Sequence, residues 1–326
     1  MTGGYTYKKA KNSVKLRRLS YVYMSLFIIL LFFKNSDVAS VWVSDGLALC
    51  AKKLIPSLFP FMVISSLVVS SGLGRIISHI FKAPVRALLG LGEECASALL
   101  LGWLCGFPLG AKCASELYAK GRINTDEYNR ILCICSTPSP AFLISAVGAS
   151  MLGSKKYGIW LYALSLLSAL CVGIFLRIRR PISHRSCSIS STQEERVGFA
   201  RSLTRAVSDA GVGMLSVCAF VVFFSAFLGA LDATLSFLPL SDTAHSLLFS
   251  FFELTSGLSK ICTLRSVRVF PLCALAVGWS GLSVHFQTMS ICGSTESANF
   301  KGYMLSHAAR TLICFVLALL ADSLFL

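Results

Sequence analysis

Cys105-Gly106-Phe107-Pro108-Leu109-Gly110-Ala111-Lys112 interrupts one long hydrophobic run of this chain, and Ser136-Thr137-Pro138-Ser139-Pro140 interrupts the next. The second half repeats the order: Glu253-Leu254-Thr255-Ser256-Gly257 comes first, and Gly278-Trp279-Ser280-Gly281-Leu282-Ser283 follows. At membrane depth, broken backbone is tolerated only where protein or a water-filled cavity satisfies the freed N–H and C=O groups. Paired breaks in two halves therefore mark a central binding site and point to a membrane transporter.

Composition agrees. Hydrophobic residues make up 55% of the 326 and charged residues only 14%, which is far more apolar than a soluble domain and sets the chain in the lipid bilayer. The formal net charge of +15 is concentrated in Lys8, Lys9, Lys11, Lys15, Arg17 and Arg18, and in seven arginines from Arg177 to Arg205. Such clusters read as cytoplasmic anchors rather than as a nucleic-acid surface. Leu19–Phe33 has the look of a signal peptide, but no small-x-small cleavage site directly follows it, so it reads as a span. The 13 cysteines are scattered, mostly inside apolar runs, and read as small packing residues. No phosphate-binding glycine motif, nucleophile-with-base pattern or metal-ligand spacing is present, so neither an enzyme nor a cofactor or metal is expected.

A crossing helix needs about 20 apolar residues. Spans are expected at 19–33, 47–73, 129–152, 157–176, 206–231, 269–292 and 303–325. Residues 95–119 and 245–261 each contain two limbs too short to cross, which makes them re-entrant helical hairpins. The reading is an all-α polytopic membrane protein, with about seven transmembrane helices and two hairpins in inverted repeats. Its divisions are 1–44, a basic N-terminus with an additional span; 45–176, the first repeat; 177–205, a basic cytoplasmic linker; and 206–326, the second, inverted repeat. With the N-terminus inside, Arg75, Lys82 and Arg86 fall in a cytoplasmic loop and the cation-free loop of Asp232 and Asp242 lies outside; Lys155, Lys156, Lys260, Arg265 and Arg268 run against this rule. Asn124 followed by Glu127 is the pattern of a capping box.

Particular side chains stand at the breaks. Lys112 follows the Gly106–Gly110 tip by two residues, in the first turn of a half-helix whose dipole is already positive, so it is a candidate anion contact. Its alternative is to snorkel or cap a carbonyl. Glu253 sits between Phe252 and Leu254 at the second tip, a candidate proton, cation or substrate contact if unpaired, or else an acceptor for tip amides. The hydroxyls of Ser136, Thr137, Ser139, Thr255, Ser256, Ser280 and Ser283, with His285 and Gln287, can contact a ligand or replace lost backbone partners. Gly106, Pro108 and Gly110 shape the first tip, and half-helix N-termini after Gly110, Pro140, Thr255 and Gly281 are expected to converge. Lys52, Lys53 and Arg310 are expected to snorkel near span ends.

At Leu58-Phe59-Pro60-Phe61, at Gly106-Phe107-Pro108-Leu109-Gly110-Ala111-Lys112 and at Ser136-Thr137-Pro138-Ser139-Pro140-Ala141-Phe142, the chain resembles the nucleoside-recognition or Gate-domain membrane proteins, and within them the stage V sporulation integral membrane protein branch. The resemblance runs from about residue 45 to the C-terminus. The family's Gly-Tyr-Pro is Gly106-Phe107-Pro108 here, and its Asn-rich break is Ser136-Thr137-Pro138-Ser139, which replaces amides by hydroxyls. The resemblance implies a fold similar to concentrative nucleoside transporters. It also implies transport of dipicolinic acid, a small anionic substrate, across the outer forespore membrane of a spore-forming bacterium. A nucleoside or other small-metabolite carrier and a non-transporting sporulation scaffold are the alternatives. A homo-oligomer or other sporulation membrane proteins stay open as partners.

Overall fold

The computed structural model describes residues 3–70, 73–179, 198–265, 268–292 and 297–325. The described residues are mostly helical, with no strand among them. The chain opens with α1 (Gly3–Lys34), α2 (Ser36–Leu49), a π-helical turn π1 (Cys50–Leu54) and α3 (Ile55–Ser70), followed by α4 (Leu73–Pro84) and a second turn π2 (Val85–Leu89). Then come α5 (Cys95–Cys105), α6 (Leu109–Ala119), α7 (Thr125–Cys135), π3 (Ala141–Met151) and α8 (Lys155–Arg179). After the basic segment, most of which lies outside the described residues, follow α9 (Phe199–Leu235), α10 (Asp242–Phe252), α11 (Leu254–Ile261), α12 (Val269–Trp279), α13 (Leu282–Cys292) and α14 (Phe300–Phe325).

Among the described residues, five stretches are long and apolar enough to cross a membrane: Ser36–Ile64, Lys155–Arg179, Phe199–Leu235, Val269–Cys292 and Phe300–Leu324. The sequence pattern suggests about seven, and the difference has two sources. Residues 129–152 are divided between α7 and π3, each 11 residues long. The span expected at 19–33 falls in α1, which is not among the five, and one residue, Asn35, separates α1 from α2, with Asn35 N donating to Leu31 O at 3.2 Å and Ala39 N to Asn35 O at 2.9 Å. The Asn35 side-chain amide also reaches Thr234 Oγ1 on α9 at 2.9 Å. The first of the five stretches therefore begins at Ser36, where the sequence pattern expects a span from 47.

The expected hairpin segments are helix pairs. α5, α6 and α10 have 11 residues each and α11 has eight, so at 1.5 Å per residue no limb exceeds about 17 Å, little more than half of a ~30 Å hydrocarbon core. Each pair is drawn tight by a glycine in its second limb. A Cβ on Gly110 would lie 2.7 Å from Gly102 Cα, and one on Gly257 would lie 2.1 Å from Ser250 Cα. Asn124 and Glu127 form the expected capping box at the start of α7, with Glu127 N bound to Asn124 Oδ1 at 2.9 Å and Asn124 N to Glu127 Oε2 at 3.2 Å.

Packing follows the same order in both halves. α3 packs on π3 as α9 packs on α13, α7 packs on α14 as α12 packs on α8, and α3 meets α9 as α8 meets α14. The main core is built where these helices cross, around Phe142, Leu143, Leu161, Leu254, Leu258, Cys273 and Cys314. Apolar surface remains exposed on the outer faces of the long helices, at Ile174, Phe175, Leu215, Leu312 and Leu320 among others. That distribution suits lipid as solvent.

Candidate functional site

The four breaks are joined in pairs. At the first tip, Gly106 ends α5 with φ +81°, a left-handed-side conformation that glycine adopts without strain. Its N–H closes on Gly102 O at 3.0 Å, and Phe107 N donates to Thr137 O at 3.0 Å. A Cβ on Gly106 would lie 2.7 Å from Ser139 N, so tip and break share one backbone contact. In the second half the roles are reversed. Gly281 in the α12/α13 break has φ +83°, and a Cβ there would lie 2.9 Å from Leu254 N at the tip.

All four breaks open on one cavity. Phe107 comes from the first tip, Pro138 and Ser139 from the first break, Glu253 and Thr255 from the second tip, Ser283 from the start of α13 and Gln287 from one turn further along it. Leu58 and Met62 of α3 and Val217 and Val221 of α9 complete an apolar wall. The enclosed space is small, about 50 Å³, well below the roughly 300–1,000 Å³ usual for small-molecule pockets. The N-terminal ends of π3, α11 and α13 all border this space, so three positive dipole ends face it.

Glu253 is the one charged side chain among the described residues of the lining. It is 2% exposed, and it is not unpaired: its carboxylate accepts Thr255 N at 3.0 Å and Ser256 N at 2.6 Å, capping α11. Ser139 likewise caps π3 by accepting Phe142 N at 3.2 Å. Two other polar groups on the lining have no partner, Ser283 Oγ and Gln287 Oε1, both buried.

The remaining sequence-predicted residues stand outside the lining. Gly106, Pro108 and Gly110 shape the tip, and Ser256 supplies an N–H to Glu253. Thr137 Oγ1 donates to Gly102 O at 3.2 Å and Ser280 Oγ to Val277 O at 3.1 Å, so these hydroxyls serve the broken backbone. Ser136 Oγ turns back to Leu132 O at 3.4 Å. Lys112 is not part of the lining; its Nζ lies 4.0 Å from Asp209 Oδ2 on α9, with about a third of its side chain exposed. His285 occupies the opposite face of α13 from Ser283 and Gln287, with Nδ1 3.1 Å from the Tyr303 hydroxyl.

Arg310 corrects the sequence reading most sharply. Instead of snorkelling at a span end it is fully buried, and its Nη1 donates to Ser136 O at 2.7 Å. The ring of His307, on the same face of α14 one turn earlier, lies 4.8 Å from the ring of His285. The spacing His307-x-x-Arg310 inside an apolar stretch was the available signal, since i and i+3 share a helix face.

No family model matches the chain, and no solved structure matches it. Among curated proteins it is similar to the sporulation integral membrane protein YlbJ of Bacillus subtilis (strain 168), with 23% identity over 347 residues, spanning 95% of this chain and 84% of that protein. Similarity to an integral membrane protein along nearly the whole chain and, among the described residues, five helices of membrane-crossing length agree in making this an integral membrane protein.

Proposed function

We propose that this chain is a secondary transporter or facilitator for a small carboxylate anion, with dipicolinic acid as the leading substrate, working in the outer forespore membrane during sporulation. The observation that carries the reading is the meeting of all four helix breaks on one cavity. Protein that merely needed to fill a membrane would have no use for four interrupted helices, each of which forfeits backbone hydrogen bonds. In the proposed architecture the two halves, 45–176 and 206–326, are inverted Gate-type repeats and the α5/α6 and α10/α11 pairs are re-entrant. The exchangeable packing of α3 with π3 and α9 with α13 supports this. Similarity to a sporulation membrane protein supports the setting.

Electrostatics would come from the fold rather than from Lys112. Three helix N-termini border the cavity, and each carries roughly half a positive charge. Glu253 offsets that of α11. One observation favours a second reading, a carrier of nucleosides or other neutral metabolites: a carboxylate, an amide and hydroxyls line the space and no Lys or Arg does so among the described residues. Such groups suit sugar hydroxyls and base edges.

Uptake of labelled dipicolinate and of labelled uridine into proteoliposomes, under imposed pH and Na⁺ gradients, decides between the two. Saturable dipicolinate uptake is expected. Saturable uridine uptake without dipicolinate uptake would transfer the protein to the second reading, and uptake of neither would leave the transport reading without support.

A further inference from the structure

Beyond the cavity, five buried nitrogens collect around one charge without a hydrogen-bond partner. They are Nε and Nη2 of Arg310, both ring nitrogens of His307, and Nε2 of His285. Arg310 and His307 are 0% exposed and His285 is 1% exposed. No carboxylate pairs with Arg310 among the described residues. The backbone of Gly278 faces His307 and that of Trp279 faces His285, but neither reaches hydrogen-bond geometry. The Ser136 carbonyl satisfies one guanidinium nitrogen and leaves two.

We propose that Arg310, His307 and His285 form a buried anion site that takes a single carboxylate group or a halide. An unpaired guanidinium within a membrane protein is costly, and unsatisfied buried polar groups call for a missing partner. The groups present settle its chemistry. A guanidinium has only donors, while each neutral imidazole brings one donor and one acceptor, so the N–H groups on Nε and Nη2 of Arg310 leave the cluster with a surplus of donors and in need of an acceptor. Planar guanidinium recognises carboxylate best, through charge-assisted bonds.

The cluster lies one helix behind the cavity. α13 turns Ser283 and Gln287 to the cavity and His285 to the cluster, while the first break offers Ser139 to one and the Ser136 carbonyl to the other. In so far as the anion is the substrate's own carboxylate, the inference rests on the transport reading and names its charge-recognising group. If the anion is a halide, it stands without that reading.

The test uses the full-length protein in detergent, with thermal stabilisation titrated separately by dipicolinate and by chloride at constant ionic strength held with sulfate. Stabilisation of the wild type is expected, with affinity about 10- to 100-fold weaker in Arg310→Met, corresponding to one or two lost charge-assisted hydrogen bonds. Arg310→Lys keeps the charge but not the fork, and about tenfold weakening is expected there. It decides the matter should Arg310→Met fail to fold. Arg310-dependent stabilisation by dipicolinate supports both the site and the substrate. Arg310-dependent stabilisation by chloride alone upholds the site and counts against dipicolinate. A wild type indifferent to both anions, as expected if buried water fills the cluster, overturns the proposal, and so does an Arg310→Lys protein with unchanged affinity.

Discussion

At the α5/α6 tip the chain reverses through Gly106, Phe107 and Pro108, and its backbone is satisfied by other backbone: Gly106 N on Gly102 O, Phe107 N on Thr137 O. At the α10/α11 tip a single residue ends one helix and begins the next, and the free amides are satisfied by a side chain, the Glu253 carboxylate on Thr255 N and Ser256 N. Backbone links of the first kind move only if the main chain moves. A carboxylate can be withdrawn by rotation about its own side-chain bonds, at the expense of two charge-assisted hydrogen bonds. The two halves thus share a plan of helices yet differ in how firmly each tip is held, and the softer tip is the one whose charged group lines the cavity.

The largest effect should come from the glycines that close the hairpins. In Gly257→Ala the new methyl would meet Ser250 Cα at 2.1 Å, and in Gly110→Ala it would meet Gly102 Cα at 2.7 Å. Backbone atoms cannot yield like the end of a side chain, so Gly257→Ala is expected to lose about 3 kcal/mol or more and Gly110→Ala about 1–3 kcal/mol, the range of overpacked cores. Buried cysteines such as Cys95, Cys135, Cys273 and Cys314 give a direct readout, because a thiol-reactive dye labels them only on unfolding. Equal melting curves for Gly257→Ala and the wild type would mean that the second hairpin opens readily and that its tight crossing is not required.

Removing the side-chain contribution at each half sharpens the contrast. Glu253→Ala strands two amides at a buried tip and is expected to lose about 2 kcal/mol, less than the sum of two bare desolvation penalties because cavity water can reach them. Glu253→Gln keeps one acceptor in place and should lose about 1 kcal/mol. Ser139→Ala removes only the cap on Phe142 N, worth about 1 kcal/mol. Thermal melts of the three variants give the order; a loss in Ser139→Ala equal to that in Glu253→Ala would erase the distinction between a backbone-held and a side-chain-held half.

The breaks were legible because their causes are local. Gly106 and Gly281 adopt positive φ, Pro138 and Pro140 lack an N–H, and no neighbouring helix is needed to see either. Glu253 was harder to read as a cap, since its longer side chain is not among the usual N-cap residues, and an isolated carboxylate in an apolar stretch looks like a functional charge. The cations were illegible for a different reason. Which face of a helix is buried depends on partners far away in sequence, and Arg310 finds Ser136 across 174 positions. Lys112 and Arg310 both lie within apolar helices, but only the packing of α14 on α7, α8 and α12 reveals that Arg310 faces inward. Asn35, between α1 and α2, shows the same dependence on distant partners: its amide bonds to Leu31 O and, across 199 positions, to Thr234 Oγ1.

The smallest effect is expected where the sequence placed the greatest weight. Lys112 is separated from Asp209 by 4.0 Å, with side-chain exposures of 36% and 43%, and Arg205 approaches the same carboxylate at 3.9 Å. Exposed pairs at such distances contribute about 0–1 kcal/mol, and Arg205 stays beside Asp209 when Lys112 is removed. Lys112→Ala should therefore melt within about 0.5 kcal/mol of the wild type and carry dipicolinate at the wild-type rate. Arg310→Met should depart from the wild type in the same uptake assay. Initial rates across substrate concentrations separate the two possibilities: if Lys112→Ala loses uptake while its melting curve is unchanged, the charge that matters lies on the exposed side of the first hairpin, and the softer tip at Glu253 is not the half that meets the anion.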